Sequence, residues 1–595
     1  MKDLRYDRQV RLWGDDGQSA IETTTVCLLG SSALATEILK SLVLAGIDSF
    51  CIIDDAVVEQ PDLGTNFFME ESDIGKPRAE AAVRLLKELN CRVSGSFICR
   101  PSRSLNSSHL EQLVPFSVVV AVNFCESEAT PISSFLFDRG IPFISTRVYG
   151  FLGALKICVK EHPIVNTHQE NVPPDLRIDR PFPALKELIE STDLSTMTDE
   201  QVRHTPYLVL YAMALKNYKK SSDPNAFPDT FAKRKAFLPF IMELAREKEQ
   251  GGTDENFDQA KTSLARSLLV SKIPSKVNDL LADPKCSEEI RGAGEPFWVM
   301  CTALRRFVER NGLLPLAGQL PDMASDSASY ARLASIYHEK AMQDVIEVLE
   351  DVRSIEEESC ANEDQNMNEG DTVKDLDCKM EEDRRSLTAL HSSPIPSRRT
   401  DGIAFGPISK EACTRFCKNA ALLDMQRGTS IGGEGALQAF KEAVVTPLSY
   451  LEEEDFVEGV ASPTIWLLLL KAVDRFRDEK GSNGRFPGTN GIPCDIDSFD
   501  VKNRVINIVK ECMQESEDSM EGEGPSVDTV VKNVAKTGAI DEICRYAASE
   551  VHGVAALMGG IAAQEVIKLA TRQYIPVHNT LIYDAHSANT ATFLL

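Results

Sequence analysis

Thr25-Val26-Cys27-Leu28-Leu29-Gly30-Ser31-Ser32-Ala33-Leu34-Ala35 opens the stretch that decides the fold. It runs on through Thr36–Ala45 to Phe50-Cys51-Ile52-Ile53-Asp54-Asp55. A short apolar run closed by glycine reads as a buried strand, the periodic run after it as a helix, and the second apolar run as another strand. Strand, tight turn, helix and strand at this pitch form the first βαβ unit of a Rossmann-like, nucleotide-binding sheet. Asp54 falls about 24 residues after Gly30, where a ribose-binding carboxylate is expected. The phosphate turn is degraded, however. With G-x-G-x-x-G anchored on Gly30, Ser32 stands at the second glycine and Ala35 at the third. The second glycine lets backbone N–H groups approach a phosphate with no Cβ in the way, and Ser32 restores that obstruction; alanine at the third is the milder change. The architecture is kept and nucleotide binding is expected to be lost.

Outward from this unit, Arg5–Gly14 reads as a short amphipathic helix stopped by glycine, its three arginines a solvated face by composition alone. After Asp55 a polar turn closes on Phe67-Phe68, and a helix begins near Gly75-Lys76-Pro77-Arg78, where proline suits the first turn. Further strands are expected at 94–98, 117–122 and 142–145, and Val148–Val159 reads as a glycine-kinked strand leaving the sheet. Strands alternating with helices predict an α/β fold, a Rossmann-like doubly wound and mostly parallel sheet, over the first 162 residues.

The chain has 595 residues, enough for two to four domains. A net charge of −26 argues against a nucleic-acid or anionic-membrane surface as its main business. The apolar late helix Val554–Ala570 carries Gln564, Glu565 and Lys568, so it is expected to be buried in protein and not in a bilayer. Fifteen cysteines, scattered and without any C-x-x-C, fit reduced intracellular thiols and no zinc ribbon. Cys413 and Cys417, one helical turn apart, are at most half a metal site and read as helix cysteines.

From residue 163 to 490 the pattern becomes helical, a large inserted all-helical domain. Residues 351–383 hold 13 acids against 3 bases, and about 355–405 is expected to be a disordered acidic insertion. A shorter acidic loop occupies 515–528. Residues 491–595 are expected to return to the first domain, their last strands near 579–584 and 591–595 joining its sheet. The Gly559-Gly560 pair inside a helix costs roughly 2 kcal/mol against alanine, which implies close backbone approach by a neighbour.

Together these stretches resemble the activating enzymes of ubiquitin-like modifiers, and among them the regulatory halves of the neddylation (Rub) branch. The blocks that carry the resemblance are Tyr6-Asp7-Arg8-Gln9-x-Arg11-x-Trp13-Gly14, Asn66-Phe67-Phe68, Lys160-Glu161-His162-Pro163, Asp175-Leu176-Arg177, Pro321-Asp322-Met323, Ala472–Phe476 and Gly559–Lys568. They span nearly the whole chain except about 355–405 and 515–528.

The resemblance implies a pseudo-symmetric pair of adenylation domains of which only the partner's is catalytic. It places ATP and Mg²⁺ in the catalytic subunit, and none in this chain. The catalytic subunit would adenylate the modifier, hold it as a thioester and pass it to a conjugating enzyme, in cytoplasm and nucleus, with neither nucleic acid nor membrane as a partner. Matched to the catalytic motifs, the ribose-type acid survives as Asp54 and a lysine as Lys76. The phosphate-clamping arginine falls on Thr65, its neighbouring glutamine on Asn66, and the metal-binding aspartate on Asn123. Arg→Thr removes a bidentate clamp, and Asp→Asn the anionic oxygen a hard cation prefers. No nucleophile segment follows the sheet, and Cys158 lies inside an apolar strand. Arg8 is the exception: the resemblance implies that it reaches in trans towards the partner's ATP. It also marks Tyr207, Pro321, Asp322, Met323 and Tyr330 as partner contacts. The competing readings are a free-standing adaptor and a self-sufficient adenylating enzyme.

Overall fold

The computed structural model describes the chain except residues 1–3, 170–171, 222, 247–251, 287–295, 367–407, 452–458, 480–483 and 515–526. The described residues fall into two compact units, one drawn from Met1–Ile164 and Met425–Leu595, the other from Val165–Val373 and Gly402–Asp424.

The first unit is built on an eight-stranded sheet. In chain order its strands are β1 (Thr25–Leu29), β2 (Ser49–Ile53), β3 (Ser94–Ile98), β4 (Val118–Val122), β5 (Phe143–Tyr149), β6 (Leu152–Cys158), β7 (Thr580–Asp584) and β8 (Asn589–Phe593), and in space they run β8-β7-β6-β5-β4-β1-β2-β3. The pairs from β3 to β5 are parallel, and those from β5 to β8 antiparallel. Val118-Val119-Val120-Ala121-Val122 is buried throughout, as a parallel strand covered on both faces must be. Strand order reverses between β1 and β4, and the crevice beyond their carboxyl ends is where ligands of such sheets bind. The segment expected to leave the sheet turns back instead. Gly150 (φ 60°) and Phe151 form a two-residue loop, and β6 pairs with β5 from Tyr149↔Leu152 to Phe143↔Cys158. The two C-terminal strands join the same sheet through β6, as expected.

Helix α1 (Asp7–Glu22) bends at Gly14 (φ 74°, ψ 171°) and resumes, where the sequence had suggested a stop. Arg5, Arg8 and Arg11 are all exposed. Helix α2 (Ala33–Ala45) lies against the late helix α10 (His552–Thr571), and the glycine pair divides there. A Cβ on Gly559 would sit 2.6 Å from Glu37 Cβ, so this is the close approach the sequence implied; Gly560 faces open space. By length and composition α10 could cross a membrane, but Val554, Met558, Ala562 and Val566 are buried in the core with Leu34 and Ile38 of α2.

The chain rejoins this unit at Met425, well before the expected 491. The cause is α8 (Pro463–Glu479). Its Trp466, Leu468, Val473 and Phe476 share a core with Tyr149, Leu152 and Ile582 of the sheet, and Asp474 receives Arg147 Nη1 at 2.6 Å. That apolar face could equally have packed on other helices, so composition alone assigned it wrongly.

The second unit is helical, with α5 (Tyr207–Ser221), α6 (Pro296–Asn311) and α7 (Ser327–Asn366) among its elements. Residues 355–366 belong to α7, contrary to the expectation of disorder from 355 onward. Val345, Val348, Val352 and Ile355 form a buried stripe at helical spacing. Arg310 pairs with Glu347 and Asp351, and Arg353 with Glu356, so the acids there have cations beside them. The rest of the acidic insertion, and 515–526 of the second acidic loop, lie outside the described residues. Cys413 and Cys417 are both buried.

Candidate functional site

The crevice at the switch point is a cavity of about 390 Å³ whose lining includes Gly30, Ser32, Asp54, Arg78, Asn123 and Glu550. Gly30 leaves β1 at φ 102°, a conformation other residues rarely adopt, and its N–H donates to Ile53 O at 3.0 Å. Ser32 then stands at the N-cap of α2 with extended backbone. The first N–H groups of a helix have no partner within it and carry partial positive charge, so this is the place where a nucleotide phosphate would be gripped.

A carboxylate of the chain itself is there. Glu550 Oε1 accepts from Leu34 N (2.9 Å), Ser32 Oγ (2.9 Å) and Asn123 Nδ2 (3.2 Å), while Oε2 accepts from Ala33 N (3.0 Å). Two helix amides, a hydroxyl and an amide group converge on one anionic side chain, an arrangement that places negative charge where a phosphate oxygen would otherwise lie. Ser32 and Asn123, read as losses, are two of its four donors. Asn123 reaches the position at φ 60°, which asparagine tolerates, with its Oδ1 held by Val148 N at 2.9 Å.

The remaining matched residues are engaged in structure. Asp54 is buried and accepts from Ser31 Oγ, from Arg78 Nη2 at 3.4 Å and from Ala56 N at 3.4 Å, which leaves little of it for a ribose. Asn66 is buried outside the cavity lining, its Oδ1 taken by Thr36 Oγ1 and Phe68 N, both at 3.0 Å. Thr65 offers its carbonyl to His552 Nδ1 at 2.9 Å, also outside the lining. Lys76 pairs with Asp73 at 3.1 Å and is not among the residues that line the crevice. Burial alone would raise the Asp73 carboxyl, but the Lys76 ammonium, the Glu70 amide and Arg84 together hold it below the usual carboxylate range. Ala35, in the first turn of α2, is fully buried in the core.

Cys158 is buried and burial raises its thiol; burial, then Asp474, pushes Cys125 up to about 12. Neither is an activated nucleophile. Among the described residues no three His, Cys, Asp or Glu side chains converge to hold a metal. Arg8 stands on α1, exposed, without an ion-pair or hydrogen-bond partner among the described residues.

The expected partner contacts need correcting in part. Tyr207 is 1% exposed, its hydroxyl 3.2 Å from Ser267 Oγ, and Met323 is buried too, because both fill the core of the second unit. Asp322 is exposed, and Pro321 and Tyr330 are partly so. Glu550 escaped sequence reasoning altogether: it lies 518 residues from Ser32, and no local pattern connects them.

The ThiF family profile matches residues 6–594. The chain is 44% identical over 593 residues to the NEDD8-activating enzyme E1 regulatory subunit of Caenorhabditis elegans, covering 99% of this chain and 98% of the relative. It is 35% identical to the protein of the same name from Danio rerio, covering 100% and 99%. With the NEDD8-activating enzyme E1 regulatory subunit AXL of Arabidopsis thaliana it shares 30% identity, covering 99% of each.

Proposed function

We propose a function from one premise: the chain belongs to the ThiF family, and within it to the NEDD8-activating enzyme E1 regulatory subunits. It is the regulatory half of a heterodimeric activating enzyme of the NEDD8 (Rub) pathway. Its catalytic partner holds ATP and Mg²⁺, adenylates the modifier, takes it as a thioester and hands it to a conjugating enzyme, in cytoplasm and nucleus. This chain binds no nucleotide and performs no step on its own sulfurs. The observation that carries this reading is the Glu550 carboxylate among the first amides of α2, supported by the engagement of Asp54 with Ser31 and Arg78.

What the chain contributes is a scaffold and a cation. Arg8, exposed and without a partner of its own, is suited to reach the partner's bound ATP, where a guanidinium stabilises the charge that develops on phosphate during adenylation. Asp322, with Pro321 and Tyr330 beside it, is the part of the expected contact stretch that has side-chain surface to offer. The test is reconstitution. Modifier thioester is expected only when both chains are present, and titration of the isolated chain with ATP·Mg is expected to give no heat. A thioester on a cysteine of this chain, or tight Mg-dependent ATP binding by it alone, would overturn the reading.

A further inference from the structure

From Gly553 to Ala563 helix α10 carries no polar side chain, and a helix that is apolar on every side is expected to be enclosed. Its inner side meets that expectation, packed on the sheet and on α2. Its outer side does not. Gly553, Leu557, Gly560 and Gln564 recur at helical spacing as one exposed stripe, with Ala556 and Ile561 half-buried beside it. Only 56% of the apolar span is buried, and Leu557 keeps 43% of its surface in water. A concavity of about 370 Å³ follows the stripe, lined by Ala556, Leu557, Gly560, Ile561, Gln564 and Glu565. The Glu565 carboxylate is already engaged, by Lys568 Nζ at 2.6 Å and Val577 N at 2.8 Å. Exposed apolar surface of this kind, rimmed by polar groups, marks a protein contact.

Gly560 is the feature that the chain by itself does not account for. Glycine is the poorest helix former after proline, and one kept inside a helix normally admits a close neighbour. That holds for Gly559, whose missing Cβ makes room for Glu37 of α2. It does not hold for Gly560, where a Cβ would meet no atom of the described residues within 4 Å. Within this chain the residue weakens its helix and gains nothing, so the close approach it permits is to another molecule. Ridges of side chains on one helix seat in the grooves of another, and a glycine at the crossing lets the two axes come nearer. Leu557 and Ile561, on either side of Gly560, would supply the apolar contact around that crossing.

The surroundings of the stripe select its occupant. Helix α1 belongs to the same helical layer, with Trp13 in the core shared by α2 and α10. It is tied to the segment that follows α10: Trp13 O receives Gln573 Nε2 at 2.9 Å, and Leu12 O receives Tyr574 Oη at 3.5 Å. Leu12 is itself 58% exposed and stands one helical turn from Arg8. Exposed apolar side chains therefore lie both on α10 and on the helix that carries Arg8. A second copy of this chain is the poorer occupant, because each copy carries a net charge of −26 and like-charged copies repel. We propose, resting on the heterodimer reading above, that the outward stripe of α10 is where the catalytic subunit docks, with a helix of that subunit crossing α10 at Gly560 between Leu557 and Ile561.

Biolayer interferometry of the full-length chain against the purified catalytic subunit of the NEDD8-activating enzyme tests this, with sedimentation velocity of the chain alone beside it. Gly560→Leu, which fills the crossing point, and Leu557→Glu, which sets a charge on the stripe, are each expected to weaken pairing at least tenfold. Gly560→Ala is expected to weaken pairing two- to fivefold while raising the melting temperature of the isolated chain, an opposition that a purely structural glycine would not produce. Phe231→Glu, at an exposed apolar side chain of the second unit, is expected to leave pairing unchanged. If Leu557→Glu fails to fold, the two Gly560 variants, whose added atoms enter open space, carry the test. Wild-type affinity in the folded Gly560→Leu and Leu557→Glu variants, or equal weakening by Phe231→Glu, would overturn the docking surface and leave the heterodimer reading standing. Failure of the wild-type chain to pair with the catalytic subunit would overturn both. Self-association of the wild-type chain that Gly560→Leu abolishes would overturn the catalytic subunit as occupant and put a second copy in its place.

Discussion

Replacing Glu550 by alanine removes the acceptor of four hydrogen bonds at once, from Leu34 N, Ala33 N, Ser32 Oγ and Asn123 Nδ2, at 2.9 to 3.2 Å. Hydrogen bonds to a charged group contribute about 1.5–3 kcal/mol each, so a simple sum would exceed 6 kcal/mol. That sum is too large, because the crevice admits water, which would partner the freed donors. A lost N-cap costs about 0.5–2 kcal/mol, and a carboxylate at a helix N-terminus contributes up to about 2 kcal/mol through the helix dipole. The expected destabilisation for Glu550→Ala is therefore about 2–4 kcal/mol, and about half of that for Glu550→Gln, which keeps one acceptor oxygen but turns an NH₂ towards other donors. The change should be local first. Hydrogen exchange of the peptide spanning Ser31–Ala45 should accelerate, since its leading amides lose their acceptor. A second consequence separates this account from a generic loss of packing. With the carboxylate gone the cradle should accept an external anion, and pyrophosphate at 100 times its dissociation constant would return about 2.7 kcal/mol. Exchange within about 0.5 kcal/mol of wild type, or pyrophosphate protection equal in wild type and variant, would refute the reasoning.

Other perturbations read out separate parts of the molecule. Arg8→Ala should leave assembly with the catalytic subunit intact while slowing ATP–pyrophosphate exchange at limiting ATP; unchanged exchange would remove the in-trans role. Gly559→Ala should cost about 1–3 kcal/mol in urea denaturation, because its Cβ would meet Glu37 Cβ at 2.6 Å, whereas Gly560→Ala, facing open space, should gain about 1 kcal/mol from helix propensity. His162 is buried, with burial first and Arg572 second lowering its pKa from 6.5 to about 3. The unfolded chain then takes up a proton below pH 6.5 that the folded chain refuses until about pH 3, so stability should fall by up to about 1.4 kcal/mol per pH unit as pH drops through that window. His162→Gln should flatten this part of the stability–pH curve.

The first βαβ unit was legible because its signals are local: apolar runs of strand length, a glycine needing positive φ, and a helix of the right period all fall between Thr25 and Asp55. The same locality explains the mistakes. Val148–Val159 contains a glycine that either kinks a strand or turns a hairpin, and only pairing with β5 decides between them. Residues 355–366 look disordered by charge, yet Arg306 and Arg310 on another helix neutralise acids of α7 that composition counts as unpaired. Tyr207 has the aromatic character of an interface residue and equally that of a core residue; burial depends on what folds over it. At the site, the residues matched by family resemblance could be placed, but their condition could not. Ser32 and Asn123 are losses when compared with a phosphate-binding motif and gains when seen as donors to Glu550.

That inversion bears on why the degraded crevice persists. A buried helix N-terminus aimed at a switch point carries unsatisfied amides whether or not a nucleotide is bound, and a chain that gives up the nucleotide must offset the cost of leaving them bare. Glu550 does so with a side chain from the segment just ahead of α10, and in doing so links the first βαβ unit to the C-terminal part of the chain, which also supplies β7 and β8 to the same sheet. A bound phosphate would have to break that link and face a carboxylate already seated among its donors. Restoring a glycine at position 32 would therefore remove one donor from the carboxylate without making room for a ligand. The barrier to nucleotide binding lies in the anion that is present, more than in the glycine that is missing.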